Sequence, residues 1–252
     1  MNAGAGFGNV KTDLSVTPIG TTAVPGVPAL QNSPGFAFSN RKYPDGFIGG
    51  GQIGYNWQYS PLIVVGLETD IQSAHEKGSN SFVNSFSGFS RLGGIIANTA
   101  GTASTNYSTQ MDWFGTVRAR IGYVWGNGEV MSYIVGGLAY GEVKVNGTNT
   151  VSAFAEVKGK LPAESVSQTF GRSQVNTGWV VGYGMEGHLP LMPGNWTWKI
   201  EGLYMDLGTV DANGVTSSVF LALKGATATG GQVTTHSHFT DGILRGGLNY
   251  RF

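Results

Sequence analysis

The sequence contains no cysteine, few charged residues and no long apolar run. The lack of cysteine excludes thiolate catalysis, disulfide scaffolds and cysteine-ligated metal sites. Only 12% of the 252 residues are charged, and 15 basic residues balance 15 acidic ones, so the chain has no basic footprint for nucleic acid. No stretch reaches the roughly 18 apolar residues that a membrane-spanning helix needs. A helical membrane protein is therefore excluded, whereas a transmembrane β-barrel is not, because its strands alternate apolar and polar side chains.

Glycine and aromatic residues are abundant, and helix signals are almost absent. Alternating stretches rich in Val, Ile, Tyr and Trp predict eight strands. These lie near residues 1–10, 46–58, 62–74, 107–125, 129–146, 173–189, 195–208 and 238–252. Short turns separate some of them, and long polar loops are predicted at 11–45, 75–106, 147–172 and 209–237.

Short turns at one end and long loops at the other are typical of an outer-membrane barrel. The predicted fold class is all-β: a single domain over residues 1–252, an eight-stranded antiparallel transmembrane β-barrel. Its turns and both termini would be periplasmic, and its four long loops extracellular.

Residue parity within the strands separates aromatic from charged side chains, because successive side chains point to opposite faces. In the strand at 107–125, Trp113 and Tyr123 oppose Arg118 and Arg120, and Asp112 falls with the charged set. The strand at 129–146 is ambiguous, because Glu142 and Lys144 share a parity with Ile134, Leu138 and Tyr140. We assign that parity to the interior.

The aromatic residues crowd the short-turn ends of the strands, where they would overfill the inside of a small barrel. Placed outside, they form a girdle at the membrane interface. This predicted girdle comprises Tyr55, Trp57, Tyr123, Trp125, Trp196, Trp198 and Tyr250. The opposite face predicts a lumen filled by paired charges. The predicted lumen network comprises Glu68, Asp70, Arg118, Arg120, Glu186, Lys199, Glu201, Arg245 and Arg251.

Six stretches carry a family resemblance. They are Gly-Gly-Gly-Gln-Ile-Gly-Tyr-Asn-Trp-Gln (49–58), Val-Gly-Leu-Glu-Thr-Asp (65–70), Asp-Trp-Phe-Gly-Thr-Val-Arg-Ala-Arg-Ile-Gly-Tyr (112–123), Gly-Gly-Leu-Ala-Tyr-Gly-Glu-Val-Lys (136–144), Glu-Gly-Leu-Tyr-Met-Asp-Leu-Gly (201–208) and Gly-Leu-Asn-Tyr-Arg-Phe (247–252). In this order they resemble the outer-membrane immunogenic, porin-like family of small alphaproteobacterial surface barrels, which have an opacity-type architecture. The resemblance implies the outer membrane of a Gram-negative bacterium, with lipid, lipopolysaccharide and the barrel-assembly machinery as partners.

Both ends of the chain bear on that resemblance. Leu248, Tyr250 and Phe252 share one face of the last predicted strand and resemble the signal by which the assembly machinery recognises its clients. The simpler interpretation, a lipid-facing strand end, is compatible with that role. Family members also have a signal peptide and a fuller first strand, so we expect the start of this sequence to be processed or incompletely determined.

Several catalytic or binding motifs are matched only in part. Two G-x-G-x-x-G matches, at 49–54 and 182–187, lie inside predicted strands rather than before a helix, so they are chance matches. His236 and His238 supply two of the three or four ligands that a metal site needs, and His188 beside Glu186 is interpreted as a lumen residue. No Ser–His pair is placed on adjacent strands. The sequence therefore predicts no enzyme, no cofactor and no metal.

Two functions remain open at this point. The first is a structural or surface-interaction protein that presents long loops; the alternative is a narrow porin-like channel for ions or small solutes. We favour the first, because an eight-stranded barrel is barely wider than the side chains that fill it. A small-residue patch at Gly115, Ala119 and Gly202 makes a second copy or other envelope proteins candidate partners. Apolar clusters at 93–96 and 219–223 are candidate contact surfaces.

Overall fold

The computed structural model describes residues 1–18, 36–92, 95–125, 128–156, 164–190, 194–214, 218–220, 227–229 and 231–252. The described residues form eleven strands: β1 (Asn2–Pro18), β2 (Phe36–Lys42), β3 (Asp45–Gln58), β4 (Ile63–Leu92), β5 (Ile95–Trp125), β6 (Val130–Glu156), β7 (Glu164–His188), β8 (Trp196–Gly214), β9 (Ser218–Phe220), β10 (Thr227–Thr229) and β11 (Gly231–Tyr250). No helix of this described part is long and apolar enough to cross a membrane.

Nine of the strands form one antiparallel sheet that closes on itself. Its order is β11-β8-β7-β6-β5-β4-β3-β1-β2, and β1 also pairs with β11, from Asn2 opposite Gly247 to Pro18 opposite Gly231. The expectation of an all-β antiparallel fold is confirmed. The short strands β9 and β10 pair only with each other.

The ninth strand arises because β2 and β3 pair with successive parts of the same strand. β3 pairs with β1 over Asn2–Phe7, and β2 pairs with β1 over Val10–Val16. Only Tyr43 and Pro44 separate β2 from β3, and proline has no N–H to donate to a ladder. β2 and β3 thus follow one another along one edge of β1.

The strands are much longer than their apolar faces predict. β4 and β5 stay paired as far as Leu92 opposite Ile95, and β6 and β7 as far as Ala153 opposite Glu164. Most of the segments 75–106 and 147–172, which the sequence analysis assigns to loops, are therefore strand. Ser, Thr and Asn dominate these segments, and backbone pairing rather than apolar alternation keeps them extended.

The closed sheet divides into two leaves at its far end, the end opposite the turn at residues 59–62. Within the described residues, pairing of β3 with β4 stops at Ile48 opposite Ala74, and pairing of β7 with β8 stops at Trp179 opposite Asp206. Beyond these points β4–β7 form one leaf, and β2, β1, β11 and β8 form the other. Leu14 and Val233 of one leaf pack with Tyr107 and Phe170 of the other.

Two β-bulges change which side chains face the interior. The β5–β6 register shifts between Met111 and Trp113, and the β8–β11 register shifts where Gly208 faces Phe239. Gly208 has a positive φ of 73°, as expected for a bulge that uses the left-handed region. Each bulge reverses the parity of its strand, so a single alternation rule cannot describe β5 or β8 along their full length.

Candidate functional site: a charged interior within an apolar outer face

The interior of the closed sheet holds a cluster of paired charges. Arg118, whose side chain is fully buried, donates hydrogen bonds to Glu68 and, at 2.8 Å, to Asp70. Arg245 bonds Asp70 at 2.7 Å through a terminal nitrogen and Glu201 at 2.8 Å through Nε. These side chains come from β4, β5, β8 and β11, so the cluster joins opposite sides of the sheet.

A lysine and a tyrosine extend this cluster. Lys199 Nζ lies 2.7 Å and 2.8 Å from the two oxygens of Glu68 and 3.0 Å from Glu201. The Tyr133 hydroxyl donates to Glu201 at 3.0 Å. These carboxylates have more than one cationic partner, and charge-assisted hydrogen bonds offset part of the cost of burial. Asp70 Oδ1 and Arg118 Nε stay buried without a hydrogen-bond partner in the described part of the chain.

A second group of charges lies nearer the turn at residues 59–62. Arg120 contacts Glu186 at 3.1 Å, and Arg251 contacts the other oxygen of Glu186 at 3.1 Å. The Arg251 side chain is 56% exposed, while Glu186 is buried. All nine residues of the predicted lumen network thus take part in charge pairs, and Arg251 marks where the network meets solvent.

The outer face of the same strands is apolar and aromatic. Its exposed side chains include Ile53, Leu67, Ile71, Val117, Ile121, Ile134, Leu138, Val181, Ile200 and Leu244. Buried charges inside exposed aliphatic side chains are the reverse of the arrangement in a water-soluble protein.

Aromatic side chains border this apolar face at both ends. Near the turns, Tyr55 packs edge-on against Trp57 at 4.6 Å, and Trp196 against Tyr250 at 5.3 Å. Tyr123, Trp125 and Trp198 lie on the same outer face. At the other border, Trp113 meets Tyr140 and Trp179 meets Tyr204. The sequence-predicted girdle residues thus lie outside, in a band at one border.

An apolar layer closes the interior beyond the charged cluster. Toward the far end, Leu203 on β8 and Ile243 on β11 are the next inward positions, and Phe114 on β5 follows one inward position after the buried Thr116. Met205, Val180 and Ile48 pack with them in one continuous cluster. Residue parity does not predict this layer, because the charged residues of the inward face indicate a uniformly polar interior.

The facing assigned to the strand at 129–146 is wrong. Ile134 and Leu138 are exposed on the outer face, whereas Tyr133, Val135 and Ala139 are buried. Both faces of β6 are apolar, so parity alone could not distinguish them. The neighbouring strands β5 and β7 carry charged residues that show which of their faces is inside, and pairing with them determines which face of β6 is inside.

The inward facing predicted for Asp112 is also wrong, because Asp112 lies in the β5 bulge. Its carboxylate contacts Lys144 Nζ at 2.5 Å on the outer side, and Lys144 lies 3.4 Å from Glu142. The hydrogen bond from Lys144 lowers the pKa of Asp112 below its ordinary value. These three charged residues therefore form a half-exposed group outside the sheet, next to Trp113.

His236 and His238 on β11 make cross-strand contacts with β8. His236 lies 2.7 Å from Asp211, and no group of three His, Cys, Asp or Glu among the described residues could hold a metal ion. His188 is exposed. Of the predicted contact clusters, residues 93–94 and 221–223 lie outside the described residues.

The structure also brings together a hydroxyl, an imidazole and a carboxylate that the sequence analysis did not pair. Thr209 lies 3.1 Å from His238 Nδ1, and His238 Nε2 lies 3.4 Å from Asp206. Thr209 is exposed and the imidazole is half-exposed. The His238–Asp206 distance exceeds that of an ordinary hydrogen bond. We interpret this group as a surface contact between β8 and β11.

Comparison with known proteins identifies the family. The chain is 37% identical over 207 residues to the 31 kDa outer-membrane immunogenic protein of Brucella melitensis, covering 82% of this chain and 67% of the relative. The chain belongs to the outer-membrane immunogenic protein family. The protein of the same name from Brucella suis matches with the same identity and coverage. The family resemblance expected from the six stretches is confirmed.

Solved structures add little to this family assignment. The attachment invasion locus protein Ail of Yersinia pestis covers 96% of this chain and 98% of its own, with 12% identity and a TM-score of 0.26. The outer-membrane protease OmpT of Escherichia coli has 12% identity and a TM-score of 0.19. TM-scores this low establish neither a shared fold nor a shared function. No family model matches the chain.

Proposed function

We propose that this member of the family is an eight-stranded transmembrane β-barrel of the outer membrane that acts as a structural and surface-interaction protein, not as a pore or an enzyme. In this proposal β2 and β3 count as one strand position, since they pair with successive parts of β1. The exposed apolar face contacts lipid, and the two aromatic borders lie at the membrane interfaces. On β4 the lipid-facing aliphatic residues end at Ile71, so the strand beyond that point projects from the membrane.

The observation that carries this proposal is that two successive layers of buried side chains, one charged and one apolar, fill the interior. Arg118, Glu201 and Arg245 are buried in the charged layer. Phe114, Leu203 and Ile243 are buried in the apolar layer that follows it. An ion would have to displace paired charges and then cross an apolar constriction, and neither step is favourable.

Planar-bilayer recording tests the proposed lack of conduction. We expect purified, refolded protein to give no stable and reproducible conductance steps, in bilayers where a large general porin does so. A shift in gel mobility between boiled and unboiled samples confirms that the protein is folded. Reproducible unitary steps from the folded protein would favour the alternative, a narrow porin-like channel for ions or small solutes.

The proposed orientation places the turns and both termini in the periplasm and the two leaves outside the cell. The leaves would then present the polar residues of β4–β7 to lipopolysaccharide, to a second copy of the chain or to other envelope proteins. Leu248 and Tyr250 lie on the outer face of β11, and Phe252, just after the strand, packs edge-on against Tyr250; the assembly machinery would recognise them there. Normal outer-membrane insertion after deletion of Phe252 would contradict that role.

A further inference from the structure

Two acidic side chains meet inside the sheet, apart from the charged cluster. Glu76 on β4 and Asp241 on β11 are only 2% and 4% exposed, and β3 and β1 lie between their strands in the sheet. Glycines make room for them. A Cβ at Gly6 would overlap Glu76 Oε1 and lie 3.2 Å from Asp241 Oδ2, and a Cβ at Gly8 would lie 3.0 Å from Glu76 Oε2. The two carboxyl groups therefore share one glycine-lined space.

The pair has no cationic partner among the described residues. Glu76 Oε1 and both oxygens of Asp241 are buried without a hydrogen bond of normal geometry. The N–H groups of Phe7 and Gly242 face Asp241 only loosely. Asp45 on β3, another acidic residue, raises the pKa of both carboxyl groups.

The remaining surroundings are uncharged. A cavity of about 10 Å³ lies beside the pair, and its walls include no charged residue other than Glu76 and Asp241. Most of the wall is apolar and includes Val10, Met111, Met205, Leu207 and Phe239. Such a volume holds about one water molecule.

Two carboxylates this close in an apolar site cannot both be ionised, because each disfavours the charge of the other and neither is solvated. A third side-chain ligand for a metal ion is missing among the described residues. We propose that Glu76 and Asp241 bind one proton between them, as a carboxyl–carboxylate pair that ties β4 to β11. This pair lies where the closed sheet divides into its two leaves.

Because Glu76 and Asp241 share a proton, the stability of the contact between β4 and β11 depends on pH. Burial, and then the charge of Asp241, raise the pKa of Glu76 from 4.5 to about 9. Burial also raises the pKa of Asp241 from 3.8 to about 7, so the pair holds one proton between about 7 and about 9. The folded chain therefore holds a proton in that range that the unfolded chain has already released, so the stability it contributes falls as pH rises through that window. One extra bound proton corresponds to about a tenfold rise in the unfolding constant per pH unit.

Urea unfolding of the whole refolded chain, at several pH values from about 7 to about 9, tests the proposal. We expect the slope of log unfolding constant against pH to be lower in Glu76→Gln than in the wild type by about one proton. Glu142→Gln removes a carboxylate on the outer face and should keep the wild-type slope. The same slope in Glu76→Gln as in the wild type would overturn the proposal.

Two further measurements keep the test decisive if Glu76→Gln does not fold. Infrared difference spectra of the wild type should show the band of a protonated carboxyl that disappears on alkalinisation, and Asp241→Asn should alter that band. Absence of the band at neutral pH would overturn the proposal. A rise in the wild-type urea midpoint with Ca²⁺ or Mg²⁺ that EDTA reverses and that Asp241→Asn lacks would also overturn the proposal, since it would assign the site to a metal. None of these tests depends on whether the protein conducts.

Discussion

Arg245 of β11 donates a hydrogen bond to Asp70 of β4 at 2.7 Å, although β1 and β3 lie between the two strands in the sheet. The bond crosses the interior rather than following the ladder. Arg118 of β5 reaches the same Asp70 oxygen at 2.8 Å. A single carboxylate thus connects three strands, and the sheet is held closed by its side chains as well as by its backbone.

Removal of Arg245 should destabilise the fold strongly. Arg245→Ala leaves Asp70 and Glu201 each with one cation fewer in a buried site, and losing one partner of a buried pair costs about 3–5 kcal/mol. The urea midpoint of the refolded protein measures this loss. Arg251→Ala is the control, because that side chain is 56% exposed, and its loss should cost less than about 1 kcal/mol. Equal losses in both variants would contradict the proposed interior network.

The absence of native cysteine allows the orientation to be tested by labelling. Val83 on β4 is 69% exposed at the far end, and Tyr59 in the turn is 82% exposed at the other end. A membrane-impermeant maleimide should label Val83→Cys on intact cells. It should label Tyr59→Cys only after the outer membrane is permeabilised. The opposite pattern would reverse the proposed orientation.

The corrected facing of β6 predicts a lipid-dependent penalty. Leu138, 68% exposed, lies between the aromatic borders, so Leu138→Arg should cost about 2 kcal/mol when the protein is folded in bilayers. Val83→Arg changes an equally exposed residue beyond the membrane and should have little effect. A similar stability for both variants, measured by reversible unfolding in lipid vesicles, would argue against a lipid-facing β6.

The β8 bulge predicts different effects for two glycines on one strand. A Cβ would meet nothing within 4 Å at either Gly202 or Gly208, but only Gly208 has a positive φ. Gly208→Ala should therefore cost about 1–2 kcal/mol of backbone strain, whereas Gly202→Ala should be nearly neutral. The difference between their urea midpoints measures the strain. A neutral Gly208→Ala would show that the bulge relaxes without cost.

Part of the fold and of the site could be predicted from local patterns. Charged residues such as Arg118 and Glu201 alternate with aromatic or aliphatic residues, so parity alone separates their faces. The aromatic clusters at the strand ends then indicate which face is outside. These inferences need only neighbouring residues, and the structure places all the residues of the predicted lumen network in charge pairs.

Other features depend on more than one strand. Glu76 falls in a segment that the sequence predicts as a loop, so parity gives no facing for it, and no local pattern supplies a partner for Asp241. The bulge in β5 reversed the parity at Asp112, and β6 has two apolar faces. A bulge is a property of two paired strands, and a strand with two apolar faces is oriented only by its neighbours.

The amino-acid sequence by itself determined the all-β class, the antiparallel alternation and the family, because these follow from composition, parity and short motifs. Only the tertiary structure decided that charges on non-neighbouring strands pair across the interior, that an apolar layer closes it, and that Glu76 meets Asp241. The physical reason is that closure of the sheet brings β4 and β11 together from 165 positions apart along the chain, counted from Glu76 to Asp241 (241 − 76). No local pattern encodes a contact over that distance.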